Sequence, residues 1–224
     1  MFSRSTALLG EKSMTLLQSK RVILFGIGGV GSWCAECLIR TGLTHLTIVD
    51  GDTVQPSNLN RQLPATQVTI GQPKVLALKE RLLTINPDAT IEAIPEMVNE
   101  EWLEAHGLNY DYVIDAIDSV ADKTDLILYA TRARGVKIFS SMGAALRFDP
   151  TQVTTGELMS IQGDALAKAV RARMKRLGKH PYKKVRCVYS TEQAQRCETR
   201  GSLMQVTAAF GLTLASLVIK DLKD

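Results

Sequence analysis

A dense group of polar side chains follows two acidic residues in the first third of the chain. Residues 58–62 read NLNRQ and begin eight positions after Asp50, so three amides and an arginine stand within five residues. A simple nucleotide-binding turn does not need that many hydrogen-bond donors. Cations and amide donors together suit a triphosphate, which carries negative charge on three groups. The side chains predicted to bind a nucleotide are Asp50, Asp52, Asn58, Arg61, Gln62 and Lys74.

A glycine-rich turn precedes this group. Residues 26–31 read GIGGVG, a G-x-G-x-x-G pattern between a predicted strand and a predicted helix. Gly26 permits the tight turn, Gly28 and its neighbour Gly29 let backbone approach a phosphate, and Gly31 lets the helix pack on the strand. The N–H groups at the start of the helix attract an anion. Asp50 ends the next predicted strand, where a carboxylate commonly binds the ribose hydroxyls.

Asp118 adds a metal ligand to this prediction. It follows the predicted strand 110–117, at the edge of the sheet where nucleotides bind. A carboxylate repels phosphates unless a cation lies between them, and Mg²⁺ prefers such oxygen ligands. Asp118 is therefore predicted to hold Mg²⁺, although it could instead cap the following helix.

The order of the predicted elements indicates an α/β fold. Apolar runs and helical spacings alternate along the chain, which is typical of a Rossmann-like, doubly wound and mostly parallel sheet. The predicted strands are 21–26, 46–50, 90–94, 110–117, 136–141 and 185–190. Residues 28–42 are predicted to form a glycine-rich turn and a helix. The other predicted helices are 71–86, 123–134, 164–177 and 204–222, and residues 153–161 are either strand or loop.

We expect a single domain over residues 1–224. It would comprise an N-terminal arm (1–20), a nucleotide-binding core (21–150) and a C-terminal lobe (151–224) that packs on the sheet with a basic segment and an apolar helix. A separate C-terminal domain of about 70 residues is the less favoured alternative.

The composition argues against secretion and membrane insertion. The chain is 45% hydrophobic with four cysteines, and its first twenty residues hold no long apolar run. The apolar stretch 206–219 is too short to span a bilayer comfortably. The cysteines are therefore expected to be reduced thiols in the cytoplasm.

Positive charge is concentrated in residues 167–186, which carry nine Lys or Arg and no Asp or Glu. Removing these nine from the 27 basic residues leaves 18 against 23 acidic ones, a formal charge of −5 for the remainder. In the predicted helix, Leu166, Val170, Met174 and Leu177 would face the protein. The side chains predicted to bind RNA phosphates are Lys168, Arg171, Lys175, Lys179, Lys183 and Lys184. A solvated charge run is the alternative.

Several of these motifs together resemble the ThiF/MoeB/HesA family of adenylating enzymes, whose fold also occurs in ubiquitin-activating enzymes. They are GIGGVGS, DGD, NLNRQ, GQPK and DAIDS, at 26–32, 50–52, 58–62, 71–74 and 115–119. The resemblance implies that ATP binds with its α-phosphate exposed to a substrate carboxylate, giving an acyl-adenylate and pyrophosphate. It implies that Asp50 holds the ribose and Asp118 holds Mg²⁺. The phosphates would be held by Asn58, Arg61, Gln62 and Lys74, which also stabilise the charge that develops at the α-phosphate.

The family is usually dimeric, and an N-terminal arginine reaches into the partner's ATP site. The resemblance therefore implies a homodimer in which Arg4 has that role. The residues expected to act in catalysis are Arg4, Arg61, Lys74 and Asp118.

Further motifs resemble one branch of the family, the tRNA threonylcarbamoyladenosine dehydratases. They are GVGSW at 29–33, DAIDSV at 115–120 with Lys123, and CVYSTE at 187–192. This likeness implies that the substrate is tRNA. The enzyme would adenylate the threonyl carboxylate of N6-threonylcarbamoyladenosine, and the ureido group would then close the ring and release AMP. A sulfur-relay protein is a further candidate partner.

Three alternatives remain open. An adenylyltransferase for a ubiquitin-like sulfur carrier usually has two zinc-binding C-x-x-C pairs, whereas the only such pair here, Cys34 and Cys37, lies on the helix after the glycine turn. An NAD-dependent oxidoreductase would leave Arg61 and Lys74 without a role. A catalytically silent RNA-binding module would bind tRNA without consuming ATP. Cys187 is expected to be structural rather than a thioester nucleophile.

Overall fold

A seven-stranded sheet organises the molecule, as seen in a computed structural model that describes residues 1–199 and 201–223. The strand order is β3-β2-β1-β4-β5-β7-β6, and all neighbouring pairs are parallel except β6 with β7. The strands are β1 (Arg21–Phe25), β2 (His45–Val49), β3 (Thr90–Ile94), β4 (Tyr112–Asp115), β5 (Lys137–Ser141), β6 (Val153–Glu157) and β7 (Arg186–Ser190). The predicted α/β fold with a mostly parallel sheet is confirmed.

Helices cover both faces of this sheet. Those along the chain are α1 (Ser3–Leu9), α2 (Glu11–Ser19), α3 (Gly31–Thr41), α4 (Lys74–Ile85), α5 (Glu100–His106), α6 (Val120–Arg132), α7 (Ala165–Arg176) and α8 (Met204–Asp221). One hydrophobic cluster lies under α2, α3, α4 and α8, and a second lies under α5, α6 and α7. Such two-sided burial explains why β1 and β4 consist almost entirely of apolar residues.

The N-terminal segment is helical, which the sequence pattern alone did not indicate. Met14 and Leu17 of α2 are buried in the first hydrophobic cluster, whereas α1 buries no residue. Residues 1–20 are thus a packed helix preceded by a helix that contacts the cluster only through the half-buried Phe2 and Leu9.

The C-terminal third adds two strands to the sheet itself. β7 pairs with β5, and Val153–Glu157, where strand and loop were both open, forms the antiparallel edge strand β6. Because the sheet continues without a break from β3 to β6, we propose that the chain forms one domain.

α8 packs the C-terminal third of the chain against α3 in the nucleotide-binding core. Its residue Gly211 sits so close to the start of α3 that an added Cβ would overlap the Val30 carbonyl oxygen. Although α8 is largely apolar, no helix within the described residues is long and apolar enough to cross a membrane.

Candidate functional site

A cavity of about 490 Å³ opens at the carboxyl ends of the central strands. The strand order reverses between β1 and β4, and in open parallel sheets ligands bind at that point. The volume lies within the range of about 300–1,000 Å³ typical of small-molecule sites. The predicted residues that line the cavity are Gly26, Gly28, Gly29, Asp50, Asp52, Asn58, Arg61, Gln62, Lys74 and Asp118.

The glycine turn has the close packing that its sequence predicts. Gly26 has a φ of +87°, and a Cβ there would lie 2.7 Å from the Ala116 carbonyl oxygen. At Gly31, the first residue of α3, a Cβ would overlap the Gly26 carbonyl oxygen. Gly31 therefore serves the packing of α3 on the turn rather than the cavity lining. Beside Gly28 the nearest atom to an added Cβ is Gln62 Nε2 at 3.8 Å, which leaves the backbone open on the cavity side.

Asp50 links the turn to the strand that follows. One carboxylate oxygen accepts the Ile27 N–H at 2.5 Å, and the other accepts the Asp52 N–H at 2.8 Å. Burial raises the pKa of Asp50, and the nearby Lys74 ammonium offsets part of that rise. The carboxylate is thus fixed at the cavity wall, where it can accept hydrogen bonds from a ligand hydroxyl.

Lys74 places a buried ammonium at the cavity. It is the first residue of α4, its side chain is 7% exposed, and its Nζ lies 2.6 Å from Asp52 Oδ2. Asp52 is 52% exposed, so water can solvate that carboxylate if the ammonium moves to another anion. The pair therefore positions a cation that a phosphate can recruit.

The NLNRQ segment forms the adjoining wall. Asn58 and Gln62 are buried, and Gln62 Oε1 has no hydrogen-bond partner among the described residues. A buried polar atom without a partner in a cavity wall is explained by a ligand or water that satisfies it. The Arg61 guanidinium donates to the Ser57 carbonyl at 2.9 Å, and the Trp33 indole N–H donates to the Arg61 carbonyl at 3.1 Å. These bonds hold the arginine beside the glycine turn.

Asp118 is exposed at the cavity wall, shortly after β4. It does not cap the next helix, because Ser119 is the N-cap of α6 and accepts the Asp122 N–H at 3.5 Å. Asp122 lines the same cavity one helical turn further on. No group of three or more metal-binding side chains occurs within the described part of the chain. A cation here would thus need ligand oxygens in addition to those of the protein, which is how Mg²⁺ usually binds with phosphates.

A buried ion pair that the sequence analysis did not predict lies beside this wall. Lys123 and Asp115 are both fully buried, with Lys123 Nζ at 2.6 Å from Asp115 Oδ2. Lys123 also donates to the Ser141 carbonyl at 2.9 Å, and Ser140 Oγ donates to Asp115 at 2.5 Å. The network joins the end of β4 to the end of β5, and the residues that follow both strands line the cavity.

A second buried pair shapes the loop after β5. Asp164 caps α7 by accepting the Ala167 N–H at 2.9 Å, and it also accepts the Gly143 N–H at 3.2 Å. Arg147 lies 3.3 Å from Asp164 and also donates to the Gly143 carbonyl. Glu192, the last residue of CVYSTE, accepts two backbone N–H groups at Phe148 and Asp149. These contacts hold Gly143 and the start of α7 at the cavity.

Arg4 lies away from the cavity of its own chain. It is exposed on α1, near Phe2, which lies 3.5 Å from the Cβ position of Gly42 at the far end of α3. The cavity is at the other end of α3, a helix of 11 residues and therefore about 16 Å long. The structure does not bring Arg4 together with the other predicted site residues.

The basic segment forms α7 and the connection to β7. Lys168, Lys175, Lys183 and Lys184 are exposed, while Val170 and Met174 are buried as predicted. Three of the predicted RNA-binding cations have partners within the chain: Arg171 donates to the Leu158 carbonyl, Lys183 to the Ala133 carbonyl, and Lys179 lies 3.7 Å from Glu100. The prediction that Leu177 faces the protein is wrong, because α7 ends at Arg176 and leaves Leu177 39% exposed.

Three of the four cysteines lie in surroundings that disfavour reactivity. Cys187 is buried in β7, and burial strongly raises the pKa of its thiol. Burial also raises the pKa values of Cys34 and Cys37 on α3. High pKa values disfavour the thiolate that a nucleophile or zinc ligand needs.

Comparisons with known proteins point to one family. The profile of the ThiF family matches residues 2–224. A tRNA threonylcarbamoyladenosine dehydratase of Haemophilus influenzae is 35% identical, with 94% of this chain and 88% of that protein covered. The crystal structure of the E. coli tRNA N6-threonylcarbamoyladenosine dehydratase in complex with ATP has a TM-score of 0.92 at 36% identity, covering 99% of this chain and 93% of that one. A molybdopterin-synthase adenylyltransferase of E. coli is 35% identical, but over only 59% of this chain and 52% of its own length.

Proposed function

The chain belongs to the ThiF family, and from that premise we propose that it is an ATP-dependent enzyme that dehydrates N6-threonylcarbamoyladenosine in tRNA to its cyclic form. The observation that carries this proposal is the extent of the likeness to the E. coli dehydratase bound to ATP, which includes 99% of this chain. The likeness to the sulfur-carrier activator covers only 59% of it. The likeness over nearly the whole chain therefore favours the dehydratase over the sulfur-carrier activator.

The cavity has groups suited to each part of ATP. Gly28 leaves backbone open to the phosphates, and Asp50 accepts hydrogen bonds from the ribose hydroxyls. Lys74 exchanges Asp52 for a phosphate oxygen, and the NLNRQ side chains supply further donors. The threonyl carboxylate attacks the α-phosphorus and pyrophosphate leaves, after which the ureido group attacks the activated carbonyl and AMP leaves. The donors stabilise the negative charge that develops at phosphorus.

Asp118 is the proposed protein ligand of Mg²⁺, which when bound neutralises phosphate charge. We expect Asp118→Ala to raise the Mg²⁺ concentration needed for half-maximal turnover by at least about tenfold, the scale found when metal-site partners are removed. The measurement is a Mg²⁺ titration of AMP release at saturating ATP. Asp88→Ala changes an exposed carboxylate elsewhere and serves as the control. An unchanged Mg²⁺ titration for Asp118→Ala would show that Asp118 does not hold the metal.

Arg4 is proposed to act in the cavity of a partner subunit within a homodimer. Its distance from the cavity of its own chain supports this role in trans. Arg4→Ala and Lys74→Ala subunits should each be inactive alone. In a mixed dimer, one of the two cavities would regain both residues. Because random pairing makes about half of the dimers mixed, co-expression should restore about a quarter of the wild-type sites. Absence of restored turnover in purified mixed dimers would place Arg4 outside the partner's site.

The exposed lysines of the basic segment are proposed to contact tRNA phosphates. α7 begins at the cavity, where Leu166 contributes to the lining, so RNA bound along α7 would lead into the site. We expect the triple variant Lys168→Glu, Lys175→Glu, Lys184→Glu to weaken tRNA binding. The slope of the logarithm of the binding constant against the logarithm of salt concentration should become less steep by about 1 for each phosphate that the variant no longer binds. Arg171 is left intact because it bonds to the Leu158 carbonyl.

Fluorescence anisotropy with labelled tRNA at several salt concentrations measures this effect. The control variant Lys12→Glu, Lys79→Glu, Lys220→Glu makes the same change in net charge at other positions. If both variants weaken binding equally, only the overall charge matters and the basic segment is a solvated surface.

The proposed reaction is tested by incubating the protein with Mg-ATP and threonylcarbamoylated tRNA and weighing the nucleosides after digestion. The expected product is lighter by one water molecule and forms together with AMP. Cyclisation moves no sulfur atom, so the proposal gives a sulfur-relay protein no part in the chemistry. The tRNA substrate and the free cysteines fit a cytoplasmic enzyme. Release of pyrophosphate only with a Gly-Gly-tailed protein would favour the sulfur-carrier activator instead.

A further inference from the structure

A second cavity, of about 330 Å³, lies at the far end of α7 from the nucleotide cavity. α7 has 12 residues, so its two ends are about 18 Å apart. Leu128 and Arg132 of α6 form one wall of this cavity, and the connection from α7 to β7 forms the other wall with Lys179, His180 and Tyr182. Its polar lining is thus basic and aromatic.

Tyr182 and Arg132 form an exposed stacking surface. The Arg132 guanidinium lies 5.5 Å from the centre of the Tyr182 ring, and Tyr182 is 69% exposed. Most of the Tyr182 surface is therefore available to a ligand at this cavity. Nucleic acid bases stack on both aromatic rings and guanidinium planes, and every base offers such a face.

The surface is held firmly on both sides. Gly178, with a φ of +63°, follows the end of α7, and the Lys179 N–H donates to the Met174 carbonyl at 3.0 Å. After Tyr182, the Lys183 ammonium donates to the Ala133 carbonyl at 2.6 Å, which ties the connection to the end of α6. A surface fixed in this way loses little conformational entropy when a ligand binds.

We propose that this second cavity binds an unpaired nucleotide of the RNA substrate other than the one that reacts, with its base stacked on Tyr182 and Arg132 and its phosphate beside Lys179 and His180. The proposal rests on the tRNA substrate proposed above. RNA is favoured over a protein partner because the exposed Lys168 and Lys175 connect the two cavities along α7 without an acidic residue among them. Lys179 can leave Glu100, because at 3.7 Å and with exposed side chains that contact is weak.

Equilibrium binding of labelled tRNA at one fixed salt concentration tests the proposal. Tyr182→Ala should weaken tRNA affinity about tenfold, the scale of one base–aromatic stack. Tyr182→Phe should bind within about twofold of wild type, because the ring and not the hydroxyl makes the stack. Tyr110→Ala is the control for losing a tyrosine ring beside an arginine. The Arg21 guanidinium lies 5.1 Å from the Tyr110 ring centre, and this half-buried tyrosine does not line the second cavity.

Rates distinguish binding from a structural defect. Tyr182→Ala should raise the KM for tRNA while kcat at saturating tRNA and the affinity for ATP stay unchanged. Wild-type tRNA affinity in Tyr182→Ala, or equal losses in Tyr182→Ala and Tyr110→Ala, would overturn the second site and leave the proposed function intact. Failure of the wild-type protein to bind or convert tRNA would overturn the proposed function, and the second site with it.

Discussion

Replacing Lys74 with alanine is expected to lower the turnover rate by at least about 100-fold, the effect of removing one donor that stabilises a transition-state charge. The ammonium is almost fully buried at the first residue of α4 and forms its ion pair with Asp52. The ammonium can thus leave Asp52 and bind a phosphate while α4 stays in place. The measurement is the single-turnover rate of AMP release at saturating ATP and tRNA.

The same variant should fold normally and bind tRNA as the wild type does. Asp52 is 52% exposed, so losing its partner costs the fold about 1 kcal/mol or less. Lys79→Ala on the same helix, outside the cavity lining, is the control for the loss of one positive charge. Turnover near the wild-type rate in Lys74→Ala would remove Lys74 from the ATP site.

The main parts of the nucleotide cavity were predictable because each residue stands at the junction of a strand and a turn or a helix. Asp50 follows β2, Asp118 follows β4, and Lys74 begins α4. In a parallel sheet the carboxyl ends of the strands meet at one edge, so linear position is enough to place these groups together. Arg4 could not be placed in this way, because its predicted role depends on a second chain.

The buried ion pairs were not predictable by the same reasoning. The predicted helix began at Lys123, whereas α6 begins at Val120, so Lys123 lies within the first turns and faces the sheet. Arg147 and Asp164 are 17 residues apart across an irregular loop, with no periodicity to connect them. β6 was ambiguous for another reason: all five of its residues are half-buried, so VTTGE lacks the alternation that identifies a strand.

Lys123→Ala is expected to destabilise the fold by about 3–5 kcal/mol, the cost of leaving a buried charge without its partner. Asp115 would keep Ser140 as a donor but would lose the cation it is paired with, and both side chains are fully buried. Urea unfolding, followed by circular dichroism, measures the loss. Lys12→Ala, an exposed lysine on α2, is the control and should unfold like the wild type.

The double variant Asp115→Asn, Lys123→Met separates stability from positioning. It removes both charges at similar volume, and buried ion pairs replaced in this way often leave stability unchanged. We therefore expect it to recover most of the stability that Lys123→Ala loses. Turnover should nevertheless stay low, because Lys123 also binds the Ser141 carbonyl and so fixes the ends of β4 and β5 at the cavity. If both stability and turnover recover fully, the ion pair is needed for neither. If only stability recovers, the ion pair is needed for the geometry of the site.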